Sequence, residues 1–173
     1  TLVLTADSTQ ASGMKWSPAS GGGGIVQQVR SQTNTKFTNI VVIPLDNTIP
    51  QNTEGTEIVT VTITPSSASS ELEIVGIFNG GCSGRVLTGA IFVDSTANAI
   101  GVASVDLGAA SPNLVNGTVR VYVAAGSVSA RTYKLRCGAS LSNNTPSING
   151  DASGNSYYGG VLYTSLSVTE YAS

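Results

Sequence analysis

Histidine does not occur anywhere in this 173-residue chain. Without it neither a Ser-His-Asp triad nor a Cys-His pair can be assembled, so the common routes to nucleophilic hydrolysis are closed. Cysteine is almost as scarce: Cys82 lies in "GGCSG" and Cys137 in "KLRCGAS", with no C-x-x-C spacing. A zinc ion would find two thiolates and scattered carboxylates, so no metal site is expected. Cys137 alternates with Tyr133 and Leu135, as a small buried apolar residue would, and both thiols are expected to be free. Charge is thin, at 10% of residues with a net −2, which removes the electrostatic reason for a nucleic-acid or anionic-membrane partner. No apolar run approaches the roughly 20 residues of a membrane span, and no basic-then-apolar signal segment opens the chain. No glycine-rich phosphate loop leads into a helix, so no cofactor is expected. The first residue is Thr rather than Met, as in a piece of a longer or processed protein.

What the chain does have is alternation. Apolar residues recur with period two, the pattern of half-buried strands. "TEIVTVTITP" sets Val59, Val61 and Ile63 on one face, and "ELEIVGIFNGG" sets Leu72, Ile74, Gly76 and Phe78. "GTVRVYVAAG" aligns Val119, Val121 and Val123, "RTYKLRCG" aligns Tyr133, Leu135 and Cys137, and "VLYTSLSVTEY" aligns Leu162, Leu166 and Val168. Shorter candidates are "IVQQVRS", "FTNIVVIP", "VLTGAIFVD" and "AIGVASVDL", which makes about nine strands and no helical stripe. The connections are dense in Gly, Pro, Asn and Ser, and Asn116-Gly117 is a candidate tight hairpin turn. This predicts an all-β fold, an antiparallel sandwich of jelly-roll type, over residues 25–173, preceded by a neck and Gly-rich linker over residues 1–24. Val75, Ile77, Tyr122 and Tyr163 fall opposite the core register, and such an outer apolar face predicts self-association.

Three groups of polar residues invite a chemical reading. Glu71 and Glu73 share a strand face at glycosidase-like spacing, but Arg120, Lys134 and Arg136 on later strands make cross-strand or intersubunit ion pairs the better expectation. "INGDASGN" spaces Asn149, Asp151, Ser153 and Asn155 like a calcium loop, yet carries one carboxylate and has Gly160 where the closing Glu belongs. The same stretch runs into "GNSYYGG". Tyr157 and Tyr158, with Asn143, Asn144, Asp151 and Asn155 nearby, predict a shallow carbohydrate site in which rings offer apolar faces and amides read hydroxyls. The plainer alternative is that these tyrosines close the sandwich or pack between subunits. No catalytic residues are assigned and the chain is not expected to be an enzyme.

The only tryptophan, Trp16, and the only methionine, Met14, stand in an opening segment too short to bury them. Cover must come from the following domain or from other copies. "VLTADSTQASGMKW" resembles the short repeat that precedes the tip domains of bacteriophage tail-fibre proteins, of the form L-T-A-D-S-x-x-x-x-G-x-x-W. Residues 25–173 resemble the C-terminal domain of fibre-like proteins of phages and prophages. The stretches that carry this are "VQQVRSQTNT", "IPLDNTIPQNTEGTEIVTVTITPSSASSELEI", "GAIFVDSTANAI", "VRVYVAAGSVSARTYKLRCG" and "YYGGVLYTSLSVTEY". The resemblance implies a homotrimer whose tip contacts the host surface, with Leu4, Met14 and Trp16 on a threefold neck and each chain splaying into its own sandwich. It implies a virion fibre made in the bacterial host cytoplasm and a host-surface glycan or other receptor as partner. A purely structural trimerisation or capping module is the alternative, and the resemblance brings no catalytic motif.

Overall fold

A strand with one apolar face is stable only when a second layer covers that face, and here two sheets cover each other. The computed structural model describes residues 2–6, 9, 11–18, 24–38, 40–83, 86–106, 108, 114–141 and 146–173. A hairpin comes first, β1 (Leu2–Ala6) pairing antiparallel with β2 (Met14–Pro18). The sandwich strands are β3 (Ile25–Thr33), β5 (Thr56–Ile63), β6 (Glu71–Gly81), β7 (Val86–Val93), β8 (Gly101–Asp106), β9 (Val115–Ala124), β10 (Arg131–Ala139) and β12 (Thr164–Tyr171). Two short strands, β4 (Phe37–Thr38) and β11 (Ser147–Ile148), continue one sheet where β12 leaves β6. One sheet runs β3-β12-β6-β9 and the other β5-β10-β7-β8, all antiparallel. Numbered among themselves, the eight sandwich strands lie in the orders 1-8-3-6 and 2-7-4-5, the double Greek key of a jelly roll. The expected all-β antiparallel sandwich is therefore the observed one.

The core is built from the alternating residues. Val59, Val61, Ile63, Leu72, Ile74, Phe78, Val119, Tyr133, Leu135, Cys137, Leu166 and Val168 are all buried. Both cysteines are buried and neither is in a disulfide, and burial pushes the Cys137 thiol well above its ordinary value. Phe78 is packed against two glycines, one on the facing sheet and one on the neighbouring strand. A Cβ added at Gly89 of β7 would stand 2.4 Å from its ring, and one at Gly117 of β9 would stand 2.1 Å away. Asn116 and Gly117 are thus not a hairpin turn. They are paired within β9, opposite Asn79 and Phe78, because the aromatic ring needs a neighbouring residue without a side chain.

Two further departures have clear causes. "FTNIVVIP" forms only the two-residue β4 before the chain leaves the sheet. Residues 40–55 then cross the outer face of the second sheet as a strap, where Ile43 packs on Ala90 and Phe92. Ile58, which strict alternation would place opposite Val59, Val61 and Ile63, is also buried, because the register of β5 against β10 shifts between Leu135 and Arg136. That bulge turns Ile58 inward and brings Glu57 opposite Arg136. Leu162, expected in a strand, lies in the loop before β12.

The sandwich has two ends. β3 starts at Ile25 opposite Tyr171, so the chain enters the sandwich beside the start of β6 and the end of β12. Here Glu170, fully buried, ties the β5–β6 connection to the first sheet. Its carboxylate accepts from Ser66 N (2.8 Å) and Ser66 Oγ (2.6 Å) and from the Gln27 side chain. The opposite end gathers the ends of β3, β6, β8 and β10 and the starts of β7, β9 and β12. It is roughly 25 Å away, the span of the nine-residue β3 at about 3.3 Å per residue.

Both features predict measurable effects. Gly117→Ala drives a methyl group into the Phe78 ring and should cost about 1–3 kcal/mol in chemical denaturation, the usual cost of overpacking. Burial alone would raise Glu170, but hydrogen bonds from Ser66, Gln27 and Ser70 outweigh it and lower its pKa to about 2. A carboxylate depressed on folding stabilises the native state fully above its unfolded pKa, near 4.5, and loses that contribution as pH falls toward 2. Glu170→Gln should therefore flatten the acid limb of a stability-against-pH curve between those values.

Candidate functional site

The loop between β11 and β12 lies at the far end of the sandwich and holds most of the residues expected to meet a sugar. It is anchored by Asn149, a buried residue at φ 58°. The Asn149 side chain donates to Thr33 O (3.0 Å) and Thr35 O (2.9 Å) and accepts from Thr164 Oγ1 (3.0 Å), so the loop is fastened to both β3 and β12. Asn79 adds a third tether by donating to Tyr163 O at 2.7 Å.

Within the loop Asp151 is the hub. Its Oδ1 accepts from Ser153 N (2.9 Å) and Asn155 N (2.7 Å), and its Oδ2 from Asn155 Nδ2 (3.1 Å) and Tyr157 Oη (3.0 Å). Asp151 is buried, and four donors already converge on it. Its role is to shape the loop rather than to read sugar hydroxyls directly. Nor does a carboxylate ringed by N–H and O–H donors offer free lone pairs to a cation, so the calcium-like spacing serves a turn instead. Burial tends to raise the Asp151 pKa, but the hydrogen bonds from Asn155, Tyr157 and Ser153 prevail and hold it below its ordinary value. The bond to Asp151 in turn raises the Tyr157 hydroxyl above the usual phenol range.

Tyr157 is thereby fixed and half-buried, whereas Tyr158 is 73% exposed. The two rings lie 6.4 Å apart, tilted by 53°. Tyr158 has φ 52° and is followed by Gly159 at 64° and Gly160 at 80°, a left-handed run that makes the 3-10 turn Tyr158–Gly160. A bulky residue rarely adopts this conformation, and strain of this kind costs on the order of 1–3 kcal/mol. The turn is held by Gly160 N donating to Tyr157 O (3.0 Å) and by Asn34 Nδ2 donating to Gly160 O (3.2 Å). Asn155 is exposed beside it. Asn143 and Asn144 lie outside the described residues. Exposed Val161 and Tyr163 continue the surface.

The expected ion pairs divide between the two sheets. Arg120 Nε lies 3.3 Å from Glu73 Oε1, a cross-strand contact between β9 and β6. Lys134 and Arg136, however, are on β10 in the other sheet and cannot reach Glu71 or Glu73 within the chain. They pair instead with Glu57, at 3.8 and 3.7 Å. Arg136 also donates to Glu54 O and Gly55 O, both at 2.7 Å, clamping the strap over residues 40–55. Sequence reasoning missed Glu57 because the bulge at Ile58 sets its face.

The other groups contribute less. In the neck Leu4 stands opposite Trp16 and Ala6 opposite Met14, so Leu4 and Met14 share a hairpin face. They are 50% and 49% exposed in a single chain. The Trp16 side chain lies outside the described residues. Among the described residues no cluster of three or more His, Cys, Asp or Glu could hold a metal, and no helix is long and apolar enough to cross a membrane.

The hub can be tested on its own. Asp151→Asn should return the Tyr157 phenol toward its ordinary pKa in an ultraviolet titration, with little change in the sandwich. An unchanged Tyr157 titration would show that Asp151 does not hold this ring. The chain matches no protein-family model, and a search of curated proteins finds no similar sequence.

Proposed function

We propose that this chain is the receptor-binding tip of a bacteriophage fibre, which attaches the virion to the host surface through glycan. One observation carries the reading most strongly. An aromatic side chain, Tyr158, stands exposed on a strained turn whose base is pinned by Asp151 and Asn149. Strain kept in a well-anchored loop marks a place where display outweighs stability. The position suits attachment, since the loop is at the end of the sandwich remote from where the neck enters. The resemblance of residues 3–16 to a fibre repeat agrees with that polarity.

In this reading Tyr158 and Val161 supply the apolar surface for a pyranose ring, Asn155 reads hydroxyls and Asp151 keeps Tyr157 in place. A contact this shallow should bind in the millimolar to high-micromolar range. Three copies in a homotrimer would raise avidity by about 10² or more. Trimerisation is supported by the exposed Leu4 and Met14 and by the outer sheet face, where Val75 and Ile77 are half-buried beside exposed Tyr122 and Tyr163. The same apolar face favours a second reading, in which the domain caps and trimerises a fibre and makes no receptor contact.

One experiment separates them. The Tyr157→Ala, Tyr158→Ala double variant should lose adsorption to host cells by tenfold or more while light scattering still reports a trimer. Normal adsorption by that variant would place the receptor contact elsewhere on the chain, and a wild-type chain that binds no cell and no glycan on an array would favour the capping role.

A further inference from the structure

A different cluster occupies the end of the sandwich where the neck enters. Tyr122 of β9 and Tyr171 of β12 flank β6 on either side and donate to the two oxygens of one carboxylate. Tyr122 Oη lies 2.7 Å from Glu73 Oε1 and Tyr171 Oη 2.8 Å from Glu73 Oε2. Arg120 Nε is 3.3 Å from the same Oε1. The Glu73 side chain is only 12% exposed, so it acts as a partly buried staple beneath two rings. Both hydroxyls are consumed by the staple, and what remains to offer a ligand is ring surface. Tyr122 is 51% exposed.

Above the staple is an open basin of about 490 Å³, lined by Ser69, Glu71, Tyr122, Tyr171, Ala172 and Ser173. Glu71, two residues before Glu73, presents its carboxylate on the same sheet face. Among the described residues no hydrogen bond or ion pair engages that carboxylate. Ser69 and Ser173 lie with their hydroxyls 2.8 Å apart. Aromatic rings fixed at low entropic cost, a free bidentate acceptor and two hydroxyls are what a pyranose needs for stacking and for reading adjacent hydroxyl groups.

We propose that this basin is a second carbohydrate site, specific for uncharged pyranosides. Charge sets the class. Two carboxylates, Glu71 and Glu73, face one guanidinium, Arg120, and the surplus negative charge disfavours acidic sugars. The site is about the length of β6, roughly 30 Å, from the Tyr158 loop, so it does not depend on that loop's role.

The test uses the whole chain carrying Tyr157→Ala and Tyr158→Ala, which silences the far loop. Saturation-transfer NMR is run with methyl galactoside, methyl glucoside, N-acetylglucosamine and sialic acid. At least one neutral sugar should give transfer with a millimolar Kd. Adding Tyr122→Ala should reduce it fivefold or more, and Glu71→Gln threefold or more. Tyr122→Phe should keep at least half, because the hydroxyl it removes is bound to Glu73. Sialic acid should give less transfer than the best neutral sugar. No transfer from any neutral sugar, or transfer that survives both Tyr122→Ala and Glu71→Gln, overturns the proposal. So does a Tyr122→Ala variant that falls apart into monomers without any sugar effect, since the basin would then be filled by another copy of the chain.

Discussion

The architecture depends on the room that two glycines leave for one aromatic ring. Phe78 is completely buried near the far end of β6, and glycines on β7 and β9 leave the room it occupies. A large ring in a narrow gap fills volume that smaller side chains would leave partly empty, and interiors tolerate neither voids nor overlap well. The long pairing of β6 with β9 runs past this point without a register shift, and β6 continues to Gly80 and Gly81, where β11 attaches. The loop that carries Tyr157 and Tyr158 starts directly from that attachment. The far loop is thus anchored on the packing beneath it.

Carboxylates play an unusual part in a chain with so little charge. Glu170, Asp151 and Glu73 each accept several N–H or O–H donors, and only Glu73 also meets a cation. Hydrogen bonds to an ionised acceptor are roughly twice as strong as neutral ones, so one acidic group can organise a whole turn. Glu170 closes the end where the chain enters, Asp151 builds the far loop, and Glu73 aligns two tyrosines on the outer sheet face. The scarce positive charges hold other places. Arg136 grips the strap and Lys134 lies by Glu57, both on the second sheet.

The two ends of the sandwich therefore differ in construction. At the far end the backbone is strained and an aromatic side chain is displayed. At the entry end the tyrosine hydroxyls are satisfied internally and a shallow basin opens between the rings.

Alternation along the sequence was enough to place the strands that contribute most core residues, from Val59 to Val168, because period-two burial is a local property of an extended chain. The lack of histidine likewise excluded a Ser-His-Asp triad and a Cys-His pair, since a missing residue type cannot be supplied by folding. The tyrosine pair and its Asn- and Asp-rich loop were also legible. What each residue does there was not. Whether Asp151 faces a ligand or its own loop, and whether Tyr158 is buried or displayed, depends on how Asn149 ties that loop to β3 and β12, strands far apart in sequence. The same holds for Asn116-Gly117, whose turn-like chemistry gave way to the space Phe78 requires, and for "FTNIVVIP", which became a strap because Ala90 and Phe92 needed cover. Lys134 and Arg136 found Glu57 through a bulge that no periodicity announces. Local pattern determined which residues face inward; long-range pairing, strain and close approach decided which of them meet.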